Sequence, residues 1–178
     1  MRDYVKYAGI LFTITLVTAL LLGVVNMFSA PVIEKNTADK LTLAVEKVVE
    51  GKVDTSTEKK YEVNNDGIVQ EITSYTNDRG TVVYAVKVVP TGYAGDIEMM
   101  VGFDEKALVT GVEIINMSET PGLGANAKGN EEWLAQFEGK GGELDAITGA
   151  TITSRAVELG VNEARNEVER IIGGAEIE

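Results

Sequence analysis

Three hydrophobic patterns follow one another along the chain. From Tyr7 to Ile33 no charged residue occurs, and the core Ala8–Phe28 is rich in Leu, Val, Ile and Thr. About 20 such residues at 1.5 Å rise cross a bilayer core of roughly 30 Å, so residues 7–28 are expected to form one transmembrane helix. A secretory signal has an apolar core of only about 7–15 residues and small residues at its cut. Here the stretch is longer, and a cut after Ala30 would need a small residue at Phe28 with Pro31 following, so the helix is expected to be retained. From Pro31 to about Glu50 a second helix is expected, capped by Asn36 or Thr37, with Leu41, Val45, Val48 and Val49 on its apolar face.

The pattern then turns to strands. Gly67–Thr76, Thr81–Pro90, Asp96–Phe103 and Leu108–Met117 are rich in Val, Ile, Thr and Tyr and are separated by turn residues. Asn77–Gly80 suits a hairpin loop, and Asp104–Ala107 is another short link. Links this short favour an antiparallel meander over crossover helices. Helical spacing returns in Asn130–Gly139, with Trp133, Leu134 and Phe137 on one face. It returns again in Ser154–Ile172, with Val157, Val161, Ala164, Val168 and Ile171 in register until Gly173-Gly174 stops it. The expected fold class is α+β: a twisted antiparallel sheet with packed helices, preceded by one transmembrane helix. The expected layout is an N-terminus over 1–6, the membrane helix over 7–28, a stalk or helix and connection over 29–66, its helix either standing free or packing on the domain, and a domain over 67–178.

Composition removes most chemistry. The chain has no Cys and no His, which excludes thiolate-held iron–sulfur clusters, His-ligated haem, the usual zinc sites and the Ser-His-Asp and Cys-His nucleophiles within it. Redox chemistry here therefore needs an organic cofactor. The net charge of −12 argues against nucleic-acid partners. Around the apolar stretch, Arg2 and Lys6 nearly balance Lys35, Lys40 and Lys47, so charge gives only a slight lean towards a cytoplasmic N-terminus. Thr15, Ala19 and Gly23 recur four apart, a ridge on which another membrane helix can pack, although these residues are common in membrane helices anyway.

The segment Asp145-Ala-Ile-Thr-Gly-Ala-Thr-Ile-Thr-Ser154 precedes the last helix. On residue types alone, Thr151, Thr153 or Ser154 caps that helix and Gly149 permits a tight turn. A helix start also offers unpaired N–H groups and a partial positive charge, which together suit a phosphate.

Asp145-Ala-Ile-Thr-Gly-Ala-Thr151 resembles the Asp-x-x-Ser/Thr-Gly-Ala-Thr motif of the FMN-binding domain family. In that family a transferase cleaves FAD and links FMN through its phosphate to the last Thr. The resemblance implies covalent FMN on Thr151, flanked by Thr148, Gly149 and Ala150, with Asp145 recognised by the FAD:protein FMN transferase. Ser118-Glu-Thr-Pro-Gly-Leu-Gly124 resembles the family's flavin-lining loop and implies cofactor contacts from Glu119, Thr120, Gly122 and Leu123. Many relatives carry His where this chain has Met117. Gly92-Tyr-Ala-Gly-Asp-Ile97 resembles a further family turn, with Ala94 and Asp96 as departures, and is assigned to structure. No catalytic residue and no metal ligand is implied.

With its N-terminal anchor, the layout is most similar to the flavin subunits of Rnf-type ferredoxin:NAD and sodium-pumping NADH:quinone oxidoreductases, the former more so at this length. That resemblance implies an electron-transfer subunit with its domain outside the cytoplasmic membrane, partnered by other membrane and Fe–S subunits. The alternatives are a membrane-anchored sensory or ligand-binding module outside such a complex, holding flavin or another ligand in the same fold, and a scaffold in which Thr151 is only a cap.

Overall fold

The computed structural model describes residues 2–49, 51–63, 67–139 and 145–174. It divides into a unit up to Lys40 and a second unit from Leu41 onward. The expected domain end at Glu178 and the connection through 64–66 lie outside the described residues.

Helix α1 runs Arg2–Val48 without a break. Two separate helices were expected; instead Pro31 lies inside one helix, and Asn36 and Thr37 cap nothing. The Thr37 hydroxyl donates to the Ile33 carbonyl at 2.9 Å, a mid-helix bond. A proline costs a helix one backbone hydrogen bond, which long flanking helical runs can offset. In the apolar part, Thr13 and Thr18 donate back to the carbonyls of Gly9 and Ile14, both at 2.9 Å, which hides their hydroxyls within the helix. By length and composition this helix can cross a membrane.

The second unit is built on one five-stranded antiparallel sheet in sequence order: β1 (Val53–Tyr61), β2 (Val69–Asn77), β3 (Val82–Val88), β4 (Ile97–Phe103) and β5 (Val109–Met117). Four strands match the sequence expectation; β1 was missed. Its sequence Val-Asp-Thr-Ser-Thr-Glu-Lys-Lys-Tyr has almost no apolar residue, because it is an edge strand exposed nearly throughout. The sequence left the helix after Pro31 either as a stalk or as packed on the domain; its end from Leu41, and residues 53–61, lie in the second unit. The β2–β3 hairpin turns where the sequence placed it. The Asn77 side chain accepts from the N–H of Arg79 and Thr81 at 3.0 Å each, an Asn performing its usual turn role.

Alternation along the strands separates two apolar layers. Tyr84, Val86, Val88, Met99, Val101 and Phe103 face one side, where helix α3 (Thr151–Ile172) lies. Val157, Val161, Ala164 and Val168 on that helix are fully buried, each Val contributing about 1.5–3 kcal/mol. On the other face, Val83, Ala85, Met100 and Ile115 pack against Ala44, Val48 and Val49 at the end of α1. Backbone meets backbone there: a Cβ on Gly102 would sit 2.0 Å from the Val48 oxygen, so only glycine fits. The Thr110 hydroxyl donates to that same oxygen at 2.5 Å. The helix expected over Asn130–Gly139 is a single turn, α2 (Glu131–Leu134), continued as a 3-10 turn over Ala135–Phe137. Its burial face of Trp133, Leu134 and Phe137 is as expected. Helix α3 starts at Thr151, three residues before the expected Ser154.

Candidate functional site

Three loops converge at one end of the sheet. The turn between β3 and β4 closes through Gly92 N–H to the Gly95 carbonyl at 2.8 Å and Thr91 hydroxyl to the Asp96 carboxylate at 2.9 Å. The loop Ser118–Gly124 follows β5, and the segment from Asp145 leads into α3. Glu119 joins all three. Its Oε1 accepts the Ala94 N–H at 3.1 Å, and its Oε2 accepts the Thr153 hydroxyl at 2.8 Å. Glu119 and Thr153 are both buried. A Cβ on Gly92 would lie 2.3 Å from Oε1, and one on Gly124 would lie 2.6 Å from Oε2. Two glycines thus give the carboxylate its room.

The start of α3 is held from below. Ser154 Oγ accepts the Ile147 N–H and donates to the Ala150 carbonyl, both at 3.0 Å. The Ala150 N–H bonds the Ile147 carbonyl at 2.9 Å, and Gly149 sits at φ +78°, a left-handed turn open to glycine. A Cβ there would also lie 3.0 Å from Leu123, so Gly149 lets the two loops touch.

The sequence allowed Thr151, Thr153 or Ser154 to cap the helix. None does. Ala150 occupies the cap position and no side chain bonds the first turn. Thr153 is committed to Glu119, and Ser154 to Ile147 and Ala150. Thr151 is the first helical residue and is exposed. The hydroxyl therefore stands at a helix start whose first N–H groups have no intrahelical acceptor.

Between the three loops lies a cleft of about 410 Å³. Of the residues expected at the site, Glu119, Thr120, Leu123, Gly149, Ala150 and Thr151 line it. Gly122 and Thr148 are exposed and do not. Asp145 is also at the surface and apart from the cleft, where the Trp133 indole N–H holds its carbonyl at 2.8 Å. Tyr93, Gly124, Ile152 and Thr153 line the cleft without having been assigned to it. Tyr93 was assigned to a structural turn; its signal was an aromatic between glycines, and it is 70% exposed at the cleft. Ile152 is exposed beside Thr151. Met117 is half-buried and packs on the core.

The cleft fits a flavin by size and by the residues that line it. Its volume is in the range of cofactor sites, about 300–1,000 Å³. Leu123, Ile152 and Tyr93 offer apolar surface to a ring, while the exposed hydroxyl and helix start suit a phosphate.

The family model of the FMN-binding domain matches residues 92–166, which include all three loops. The G subunit of the Na⁺-translocating ferredoxin:NAD⁺ oxidoreductase complex of Acetobacterium woodii is 35% identical, over 88% of this chain and 87% of that protein. The G subunit of the ion-translocating oxidoreductase complex of Erwinia tasmaniensis is 28% identical, over 97% and 94%. The C subunit of the Na⁺-translocating NADH-quinone reductase of Parabacteroides distasonis superposes with a TM-score of 0.51 at 19% identity, over 71% of this chain and 79% of that one, a likeness of fold. The chain belongs to the FMN-binding domain family, in the branch that contains these G subunits.

Proposed function

We propose that this chain is the electron-transfer subunit of a membrane-bound, ion-translocating ferredoxin:NAD oxidoreductase, and that its FMN is joined by a phosphoester to Thr151. The observation that carries the covalent reading is the exposed Thr151 hydroxyl, at the first position of α3 and on the wall of the cleft, while its neighbours Thr153 and Ser154 are tied into the protein. An FAD:protein FMN transferase would bring the Thr151 oxygen onto the FMN phosphorus of FAD. The pyrophosphate bond would break with AMP as the leaving group, and the hydroxyl proton would pass to the transferase or to water. A phosphodiester on Thr151 would be an anion at a helix N-terminus, a favourable position. Asp145, exposed and clear of the cleft, is accessible to the transferase.

The flavin, once bound, supplies the redox chemistry: it accepts electrons and passes them on. The residues of this chain hold and shield it. Leu123, Ile152 and Tyr93 give apolar contact, Thr120 gives a hydroxyl at the cleft, and Glu119 fixes the three loops in one arrangement. No side chain need take or give a proton. We place the N-terminus in the cytoplasm and the domain outside, with other membrane and Fe–S subunits as partners. A covalent bond suits that side, because a lost flavin could not be replaced from the cytoplasm.

Expression with and without the transferase, followed by a denaturing gel viewed for flavin fluorescence, tests the reading. The wild-type band fluoresces only with the transferase, and Thr151→Ala is dark. A dark wild type, or a fluorescent Thr151→Ala, refutes it.

A further inference from the structure

Among the described residues, Glu119 is the only carboxylate lining the cleft, and no Lys or Arg lines it. The residue is 7% exposed, and among the described residues no ion pair involves it. Each oxygen accepts a hydrogen bond, one from the Ala94 N–H and one from the Thr153 hydroxyl. Both oxygens are thus held by neutral groups, and no cation stands against the carboxylate among the described residues. The protein has made space for this charge at two glycines, Gly92 and Gly124, and placed no cation against it among the described residues.

The geometry points to Glu119 as a residue that tunes the flavin, by lowering its reduction potential through an uncompensated negative charge in the cleft wall. The inference rests on the flavin reading of Thr151. Reduction adds negative charge to the ring system. A fixed carboxylate withdrawn from water raises the energy of the reduced form more than that of the oxidised form, because charges interact strongly where water screens poorly. A Lys or Arg in the same wall would do the opposite. A lowered potential makes the carrier readier to pass electrons on, which suits an intermediate on the way to NAD.

Charge and scaffolding can be separated at this position. Glu119→Gln keeps the shape and an oxygen to accept the Ala94 N–H; its amide can donate to the Thr153 hydroxyl, which also accepts. Thr153→Val does the reverse, removing the hydrogen bond and leaving the charge. Thr120→Lys adds a cation to the cleft wall and leaves Glu119 in place.

The experiment is a spectroelectrochemical titration of the full-length flavinylated chain in detergent, with dithionite as reductant. Dithionite is oxidised to sulfite, and the flavin takes up the electrons with protons from buffer. Glu119→Gln shifts the one-electron equilibrium about tenfold towards the reduced form, a rise of about 59 mV. Thr120→Lys moves it the same way, and Thr153→Val does not raise it. An unmoved potential in Glu119→Gln overturns the inference. If Glu119→Gln does not fold or load, Thr120→Lys decides alone, and a potential that fails to rise overturns the inference. A rise in Thr153→Val equal to that in Glu119→Gln also overturns it, because the cause is then a loosened loop. A wild-type chain that carries no flavin overturns both this inference and the reading beneath it, whereas a loaded chain with an unmoved potential overturns this inference alone.

Discussion

Gly124→Ala probes the clamp around Glu119 directly. A Cβ built on Gly124 lies 2.5 Å from Thr153 Oγ1, 2.6 Å from Glu119 Oε2 and 3.1 Å from Glu119 Cβ. The first two of those atoms are bonded to each other at 2.8 Å, so the methyl group wedges into a buried hydrogen bond. Losing a bond to a charged group costs about 1.5–3 kcal/mol, and overpacking a tight site costs about 1–3 kcal/mol. The two overlap, since breaking the bond relieves part of the crowding, so about 2–4 kcal/mol is expected. The chain's single Trp, Trp133, is buried in the second unit, and its fluorescence reports urea unfolding of that unit. In a thermal scan the same loss lowers Tm by about 5–15 °C. Two controls sharpen the test. Gly122 has φ +79° and open space around it, so Gly122→Ala costs only the left-handed backbone, about 1–2 kcal/mol. Thr153→Ala removes one of the two atoms in the way, so Gly124→Ala and Thr153→Ala together cost less than their sum. A Gly124→Ala protein within about 0.5 kcal/mol of wild type would refute the clamp, as would strict additivity of the pair.

Other outcomes follow from the same contacts. Gly102→Ala places a methyl 2.0 Å from the Val48 oxygen, whereas Gly111→Ala meets Val48 Cα at 3.0 Å, so urea unfolding finds Gly102→Ala the more destabilising. Burial raises the Tyr84 hydroxyl above its ordinary pKa with Tyr61 adding to it, and burial raises Tyr75 with Glu58 adding. The neutral forms favour the folded state, so their contribution is whole below about pH 10 and is lost as pH climbs through the folded-state values. Tyr84→Phe accordingly shows a shallower alkaline loss of stability in urea titrations. Asp145→Ala keeps the backbone carbonyl that Trp133 holds. Its unfolding therefore stays within about 0.5 kcal/mol of wild type while flavin fluorescence after co-expression with the transferase falls.

Much of the fold was legible because covered elements need apolar residues. Val83, Tyr84, Ala85 and Val86 form an unbroken run because successive residues face two covered sides, and Val157, Val161, Ala164 and Val168 return every turn of α3. Strand β1 was not legible because one exposed edge needs backbone pairing and no apolar side chains, so Lys59 and Lys60 pair with Ser74 and Thr73 without any pattern to show it. The unbroken α1 was hidden by Pro31, a local signal outweighed by helix on both sides. At the site, the family resemblance pointed to Thr120, Leu123 and Thr151, and the fold sets all three on the cleft wall. Residue types alone could not separate the three neighbouring hydroxyls, since only the fold spends Thr153 on Glu119 and Ser154 on Ile147 while leaving Thr151 uncommitted. Tyr93 was missed for a related reason: its turn reaches the cleft through the sheet, far along the chain from the other two loops, and Ala94 meets Glu119 only in three dimensions.

A covalent bond to the Thr151 oxygen leaves a mass and a position. Intact mass spectrometry of the full-length chain matured with the transferase, followed by fragmentation of the peptide spanning Asp145–Arg155, measures it directly. The expected product carries one FMN, added with loss of one water, on Thr151. An unshifted mass, or an FMN carried on Thr148, Thr153 or Ser154, contradicts it.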